Sequence, residues 1–274
     1  MNSAPGICTA LTIAGSDCSG GAGVQADLKT FSANGVFGMS VITSVVAENT
    51  SRVLSIRDLD AEIIRDQMQA VFEDMPVNAV KIGMLSNAGI METVADGLRD
   101  CPTKRIVLDP VMIAKGGQAL MDPGALDVLK ERLFPLAKVI TPNIPEAVAL
   151  TGLSIGTPAQ MEEAARRLHA LGPRCVLVKG GHAAGDALDL LFDGERVYTF
   201  THARIATKNT HGTGCTLSSA IAANLAKGMD VPAAVEAAKA YVTEAIAHAL
   251  PLGHGHGPTH HFYELYRRAG LIQE

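Results

Sequence analysis

The sequence predicts an α/β protein: a mostly parallel central sheet with helices on both faces and an antiparallel addition at one edge. Two observations carry this. Short apolar runs alternate with amphipathic stretches almost from end to end, an order that calls for crossover connections between parallel strands. The alternation then breaks once, over residues 188–205, into a pattern that reads as a β-hairpin.

The apolar runs at 10–14, 80–84, 105–108, 139–140 and 175–178 read as buried strands. They are short and mostly rich in β-branched residues, and several end at Gly, Pro or a polar side chain. Helical spacing lies between them. Ile64, Met68, Val71 and Phe72 make one apolar stripe, Met161, Ala165, Leu168 and Leu171 a second, and Val235, Ala238, Val242, Ala245 and Ala249 a third. Thr157, Pro158 and Gln160 supply an N-cap hydroxyl, a proline at the first helical position and a capping-box glutamine. Gly172-Pro173 stops that helix. In the hairpin, residues 188–192 and 196–200 flank the turn Asp193-Gly194-Glu195. No repeat, low-complexity block or linker justifies a cut, so residues 1–274 are expected to form a single domain.

Composition excludes several classes. The chain has 274 residues, 47% hydrophobic and 19% charged, which is far from a disordered composition. A net charge of −5 argues against a nucleic-acid surface, and 4% aromatics with no Trp argues against a platform for stacking bases. Five scattered cysteines (Cys8, Cys18, Cys101, Cys175 and Cys215) form no CxxC pair, so neither a zinc site of ordinary spacing nor a disulfide framework is expected. Free thiols, a start without signal-peptide character and no apolar run long enough for a membrane span lead to an expected cytoplasmic location. Five of the nine histidines crowd the C-terminal stretch, but without a second ligand set they read as loop residues.

Ligands of open parallel sheets bind outside the carboxyl ends of the strands, so the polar residues there are the candidates. No Gly-Lys dipeptide exists, which removes a Walker A loop, and no GxGxxG follows the first strand. The segment Thr210-His211-Gly212-Thr213-Gly214-Cys215-Thr216 opens a helix of small residues. Its backbone N–H groups and the helix dipole would bind an anion, in a kinase the transferring phosphoryl group; otherwise it is a glycine-bearing helix start that binds nothing. Cys215 sits where the dipole is expected to favour a thiolate, or is a small packing residue. A second glycine loop, residues 15–23, follows the first run, with Asp27 one turn into the next helix. It either admits a flat ligand or is a βα turn with a dipole-compensating carboxylate. Asp109, the Asn143/Glu146 pair and Lys179-Gly180-Gly181-His182 stand at three further strand ends, as metal and anion groups or as caps.

In order along the chain, residues 14–30, 81–85, 141–147, 179–182, 207–218 and 257–262 resemble hydroxymethylpyrimidine and phosphomethylpyrimidine kinases of thiamine synthesis. The resemblance implies a ribokinase-like three-layer α/β/α sandwich, usually a homodimer. Such enzymes use ATP and Mg²⁺ to phosphorylate 4-amino-5-hydroxymethyl-2-methylpyrimidine and then its monophosphate. By motif position, Gly212, Thr213, Gly214 and Cys215 would surround the transferring phosphoryl group. Asn143, Lys179, His211 and Thr213 would serve the nucleotide, and Asp109 and Glu146 the Mg²⁺. Gly15, Asp27, Glu48, Met84 and Val111 would line the aminopyrimidine pocket, and residues 112–117 would be a lid. The family's sugar kinases carry an aspartate where this chain has Cys215. Pyridoxal kinases of the same fold hold their aldehyde through a lid cysteine where this chain has Ala114. Many relatives have Gln where this chain has Glu48. Cys18, at a position where Pro is common, is expected to act through the backbone alone.

Overall fold

The computed structural model describes residues 6–99, 101–114, 116–181 and 187–272. Its strands are β1 (Thr9–Ala14), β2 (Phe37–Ile42), β3 (Ser44–Glu48), β4 (Val53–Asp58), β5 (Ala79–Ile82), β6 (Ile106–Leu108), β7 (Val139–Ile140), β8 (Val176–Lys179), β9 (Ala187–Phe192) and β10 (Val197–His202). Eight form one sheet in the order β10-β9-β8-β7-β6-β5-β1-β2, and β3 and β4 form a separate antiparallel pair. β9 runs antiparallel to both of its neighbours and the other pairings of the large sheet are parallel. This is the expected fold class, with its antiparallel edge.

The helices are α1 (Gly23–Ala33), α2 (Ala61–Asp74), α3 (Ala88–Gly97), α4 (Leu126–Val128, inside an irregular helical stretch over 123–136), α5 (Ile144–Thr151), α6 (Pro158–His169), α7 (Thr213–Ala226), α8 (Val231–Ala247) and α9 (Tyr263–Arg268). Successive strand residues point to opposite faces, and the core divides accordingly. Val80, Ile82, Ile106 and Leu108 pack with side chains of α2, α3, α5 and α6, whereas Ala79, Val107 and Val139 pack with those of α1, α7 and α8. β1 shows why its sequence reads as an unbroken apolar run: all six residues are buried between the two helical layers.

The five predicted runs are strands to within a residue or two. The capping box at Thr157 and Gln160 forms, and the hairpin turn is closed by Asp193 accepting from the N–H groups of Glu195 and Arg196. The apolar-run reading marks no strand between the first run and residue 80, where the structure has three. β2 hides behind Gly38, at which a Cβ would stand 2.8 Å from Leu28 Cδ2; glycine interrupts the apolar run because α1 packs closely there. β3 is largely covered but β4 leaves Leu54, Ser55, Arg57 and Asp58 exposed, so neither strand reads as an apolar run.

Chain order places the site. β1 leads outward to β2, and the chain then returns to β5 on the other side of β1, so the crevice between β1 and β5 is the topological switch point. Among the described residues no helix is long and apolar enough to cross a membrane. Lys115 of the expected lid and His182 of the expected nucleotide motif lie outside the described residues.

Candidate active site

Four loops converge on the first turn of α7. Gly212 caps that helix at φ +78, a conformation that favours glycine, and a Cβ there would collide with the Gly21 carbonyl of the first glycine loop. Thr213 Oγ1 donates to the Thr210 carbonyl at 2.9 Å and Thr216 N–H to the Gly212 carbonyl at 2.8 Å. Among the described residues no acceptor takes the N–H groups of Gly214 or Cys215. Two donors of the first turn, reinforced by the helix dipole, are thus left for an anion.

Against this turn lies a buried ion pair. A Cβ on Gly214 would stand 3.4 Å from Asp109 Oδ2 and 3.5 Å from Lys179 Nζ. Asp109, at the end of β6, takes Lys179 Nζ at 2.7 Å and Thr141 Oγ1 at 2.8 Å on Oδ1. Burial pushes the Asp109 carboxyl up, but Lys179 and then Lys81 more than reverse this and it stays ionised. Burial likewise opposes the Lys179 charge, and Asp109 and Glu146 restore it.

Asn143 and Glu146 are also there, first of all as a capping box for α5. Glu146 N–H donates to Asn143 Oδ1 at 2.9 Å, and Asn143 N–H donates to Glu146 Oε2 at 2.7 Å. The capping alternative therefore holds for both, and any metal or nucleotide role has to share these atoms. Burial pushes the Glu146 carboxyl up to about 7, with Lys179 opposing and Asp109 adding to it. A carboxylate pair of this kind suits a hard dication held through water and phosphate, the usual binding mode of Mg²⁺. The donors present therefore fit the ion.

Two expectations, for Asp27 and Cys215, need correction, and His211 takes a defined partner. Asp27 does not face an open pocket. It is fully buried, takes Lys81 Nζ on both oxygens at 2.9 and 2.8 Å, and accepts from Thr12 Oγ1 at 2.6 Å and Ser219 Oγ at 2.7 Å. A buried carboxylate needs such partners, and Lys81 is the buried cation that provides the charge. His211 is bound to the first glycine loop, its Nε2 2.8 Å from Asp17 Oδ2. Asp17 also accepts from the N–H groups of Ser19, Gly21 and Ala22. Burial opposes its charge, but these bonds, led by that of His211, hold its carboxyl down at about 2. The pair ties the 17–22 loop to the 210–214 loop. Cys215, finally, is not a resting thiolate. Burial pushes its thiol up to about 11, Lys81 pulls it down, and Asp27 and Asp109 push it up again.

The remaining expected pocket residues gather around the switch point. Gly15 N–H donates to the Met84 carbonyl at 3.2 Å, and a Cβ there would meet Met84 Sδ at 3.1 Å, so the loop needs glycine for close approach. Met84 packs with Val46 and Val53, and Val111 lies against the same cluster. Glu48 ends β3, half-buried, within 4.8 Å of Asp17 and His211 as measured between potential ligand atoms. Burial and then Asp17 push its carboxyl up to about 7, with His211 opposing. Cys18 does more than shape the backbone, since its Sγ lies 3.1 Å from the Glu48 carbonyl and 3.4 Å from its N–H.

A family model described as phosphomethylpyrimidine kinase matches residues 17–260. The chain belongs to the phosphomethylpyrimidine kinase family. It is 53% identical over 262 residues to the hydroxymethylpyrimidine/phosphomethylpyrimidine kinase of Rhizobium meliloti, covering 94% of this chain and 98% of that one. It is 54% identical over 252 residues to the thiamine biosynthesis bifunctional protein ThiED of Geobacter sulfurreducens, covering 92% of this chain and 51% of that longer protein. The ADP complex of Bacillus subtilis pyridoxal kinase superposes with a TM-score of 0.87 at 42% identity, covering 93% of this chain and 98% of that one. The ribokinase-like expectation holds for family and fold alike.

Proposed function

We infer that this chain is an ATP-dependent kinase of thiamine diphosphate biosynthesis. It phosphorylates 4-amino-5-hydroxymethyl-2-methylpyrimidine and then its monophosphate to the diphosphate. The observation that carries the reading is the open first turn of α7 beside the buried Asp109–Lys179 pair, at the switch point of a chain with this family membership. Residues 1–274 would act as one kinase domain, in the cytoplasm, as a homodimer.

In this reading the chain works mainly by positioning and electrostatics. The N–H groups of Gly214 and Cys215 take the charge spreading over the transferring phosphoryl oxygens, and Gly212 and Thr213 hold the turn that aims them. Lys179 adds a cation on the nucleotide side, and Asn143 and Glu146 fix that edge through the α5 cap. Mg²⁺, held by Asp109 and Glu146 through water, would neutralise phosphate charge. Gly15, Glu48, Met84 and Val111 shape the pyrimidine side, with the His211–Asp17 tie setting its distance from the phosphoryl loop. The ionised fraction of Cys215, kept small by burial of its thiol, receives the proton of the substrate hydroxyl. Cys215→Ala is expected to lower kcat by about 100-fold or more, as for loss of an acid–base group, with KM for ATP nearly unchanged.

A pyridoxal kinase activity is the second reading, favoured by the 42% identity to the Bacillus subtilis pyridoxal kinase. ADP release with MgATP, measured separately with the pyrimidine alcohol, its monophosphate and pyridoxal, decides between them. Turnover on both pyrimidines supports the first reading; turnover on pyridoxal alone overturns it.

A further inference from the structure

The buried Lys81–Asp27 pair lies under the reacting end of the site, and the reading above gives it no chemistry. α1 and α7 meet as two rungs. The Gly23 N–H at the start of α1 favours the ionised form of Cys215 on α7. One turn further along both helices, Ser219 Oγ donates to Asp27 Oδ1 at 2.7 Å. Lys81 comes up from β5 between them, on the sheet face shared with α1 and α7. Its ammonium is bonded to both Asp27 oxygens. It runs toward the carboxyl end of the strand, since a Cβ on Gly83 would stand 2.6 Å from Nζ. Neither Lys81 nor Asp27 touches solvent. Burial alone would discharge the ammonium, but Asp27 holds it protonated well beyond its ordinary range.

We propose that Lys81 is a positioning residue for phosphoryl transfer: clamped by Asp27, which also holds Ser219 one helical turn from Cys215, its ammonium keeps positive charge on that side of the helix so that the sulfur can carry negative charge. The inference rests on the kinase reading for the use it gives Cys215. In the step concerned, the substrate hydroxyl oxygen bonds to the γ-phosphorus while the bond to the β,γ-bridging oxygen breaks. ADP leaves with that electron pair, and the hydroxyl proton passes to the thiolate sulfur, which later returns it to solvent. The charged groups acting on the sulfur are Lys81 from β5, Asp27 from α1, Asp109 from the end of β6 and, across the site, Lys179 from β8. Lys81 opposes the two carboxylates and is the strongest of the charges pulling the thiol down.

The test reads the thiol itself. Alkylation of Cys215 by iodoacetamide, resolved by peptide mass, is followed from neutral to alkaline pH in the full chain. Wild type is compared with Lys81→Met and with the charge-neutral pair Asp27→Asn/Lys81→Met, which leaves no lone charge in the core. kcat and both KM values are measured alongside. The Cys215 inflection is expected to rise by about one pH unit in Lys81→Met and by less in the pair, which also loses an opposing carboxylate. One unit is roughly tenfold less thiolate at neutral pH, with kcat falling in proportion. KM for ATP and for the pyrimidine is expected to stay within about twofold. If neither variant folds, Gly83→Ala keeps both charges, displaces the ammonium and is expected to move the inflection in the same direction. A folded variant with an unmoved inflection overturns the proposal, whether or not kcat falls. Absence of wild-type turnover on the pyrimidines would instead count against the kinase reading and leave the thiol measurement standing.

Discussion

Glu48, like Glu146, has a carboxyl that changes state near neutral pH. With its carboxyl pushed up to about 7, it is largely a neutral acid below neutrality, able to donate and accept, and an acceptor alone above. An aminopyrimidine edge offers both a ring nitrogen acceptor and an amino donor, so the neutral acid pairs with it more completely. KM for the pyrimidine is therefore expected to rise as pH increases through about 7, while a change in KM for ATP over the same range would report Glu146 instead. Glu48→Gln keeps both hydrogen-bonding capacities without the titration. It should retain activity and lose that pH dependence, which steady-state kinetics across the range will read. A pyrimidine KM that is equally pH-dependent in Glu48→Gln would assign the titration to another group. Complete inactivation would give Glu48 a catalytic role. The neighbouring Asp17 behaves in the opposite way, its carboxyl held down by His211 and three N–H groups. Two carboxylates in one cluster are thus driven apart, one fixed as a loop tie and one left near neutrality.

At the scale of elements, the segment that closes the site from the C-terminal side is pH-sensitive. His211 N–H donates to the Gly257 carbonyl, and Tyr241 OH donates to the His261 carbonyl at 2.8 Å. His261 Nε2 lies 3.1 Å from Thr216 Oγ1 on α7. Burial pushes the His261 imidazole down to about 4. The unfolded chain therefore binds a proton that the folded chain refuses. The contribution is complete above pH 6.5 and is lost progressively as pH falls from there toward 4, an effect of about 3 kcal/mol. Urea unfolding at stepped pH should show this slope in wild type, and His261→Gln should flatten it. Helix α5 supplies a second test. Asn143→Ser keeps an oxygen for the Glu146 N–H, so stability should change by less than about 0.5 kcal/mol. If the amide also serves the nucleotide, KM for ATP rises; an unchanged KM would leave Asn143 as a cap only. These elements also show what the sequence made legible. The all-buried strands and the caps at Thr157 and Asn143 were readable because burial and capping act through local residue type. Strands β2 to β4 were not, because Gly38 and exposed positions dilute the apolar signal. Lys81 sits inside a predicted strand, and a lysine at the centre of a buried run was a visible sign of a buried partner. That the partner is Asp27, 54 positions away, depends on how α1 packs on the sheet. Local spacing does not contain that information, and the same holds for the bond between His211 and Asp17.

At the scale of the molecule, the β3–β4 pair leaves two large apolar side chains exposed among polar neighbours such as Arg57 and Ser55. Val46 and Val53 pack inward beside Met84, while Val45 is 51% and Leu54 59% exposed on the outer side. A two-stranded sheet is marginal alone, and the exposed Val45 and Leu54 on it favour cover by a second copy, in line with the homodimer inferred above. Sedimentation equilibrium of the wild type should give twice the mass of one chain. The double substitution Val45→Lys/Leu54→Lys should give the mass of one chain with an unchanged thermal transition in the large sheet. A wild type already at the mass of one chain would remove the homodimer. The arrangement also carries a functional consequence under the proposed reading, in which β3, ending in Glu48, supplies part of the pyrimidine side. Loosening the pair should therefore raise KM for the pyrimidine more than KM for ATP, whose groups stand on β6, β8, α5 and α7. Equal rises in both would mean that the outer face steadies the whole molecule rather than this one wall of the site.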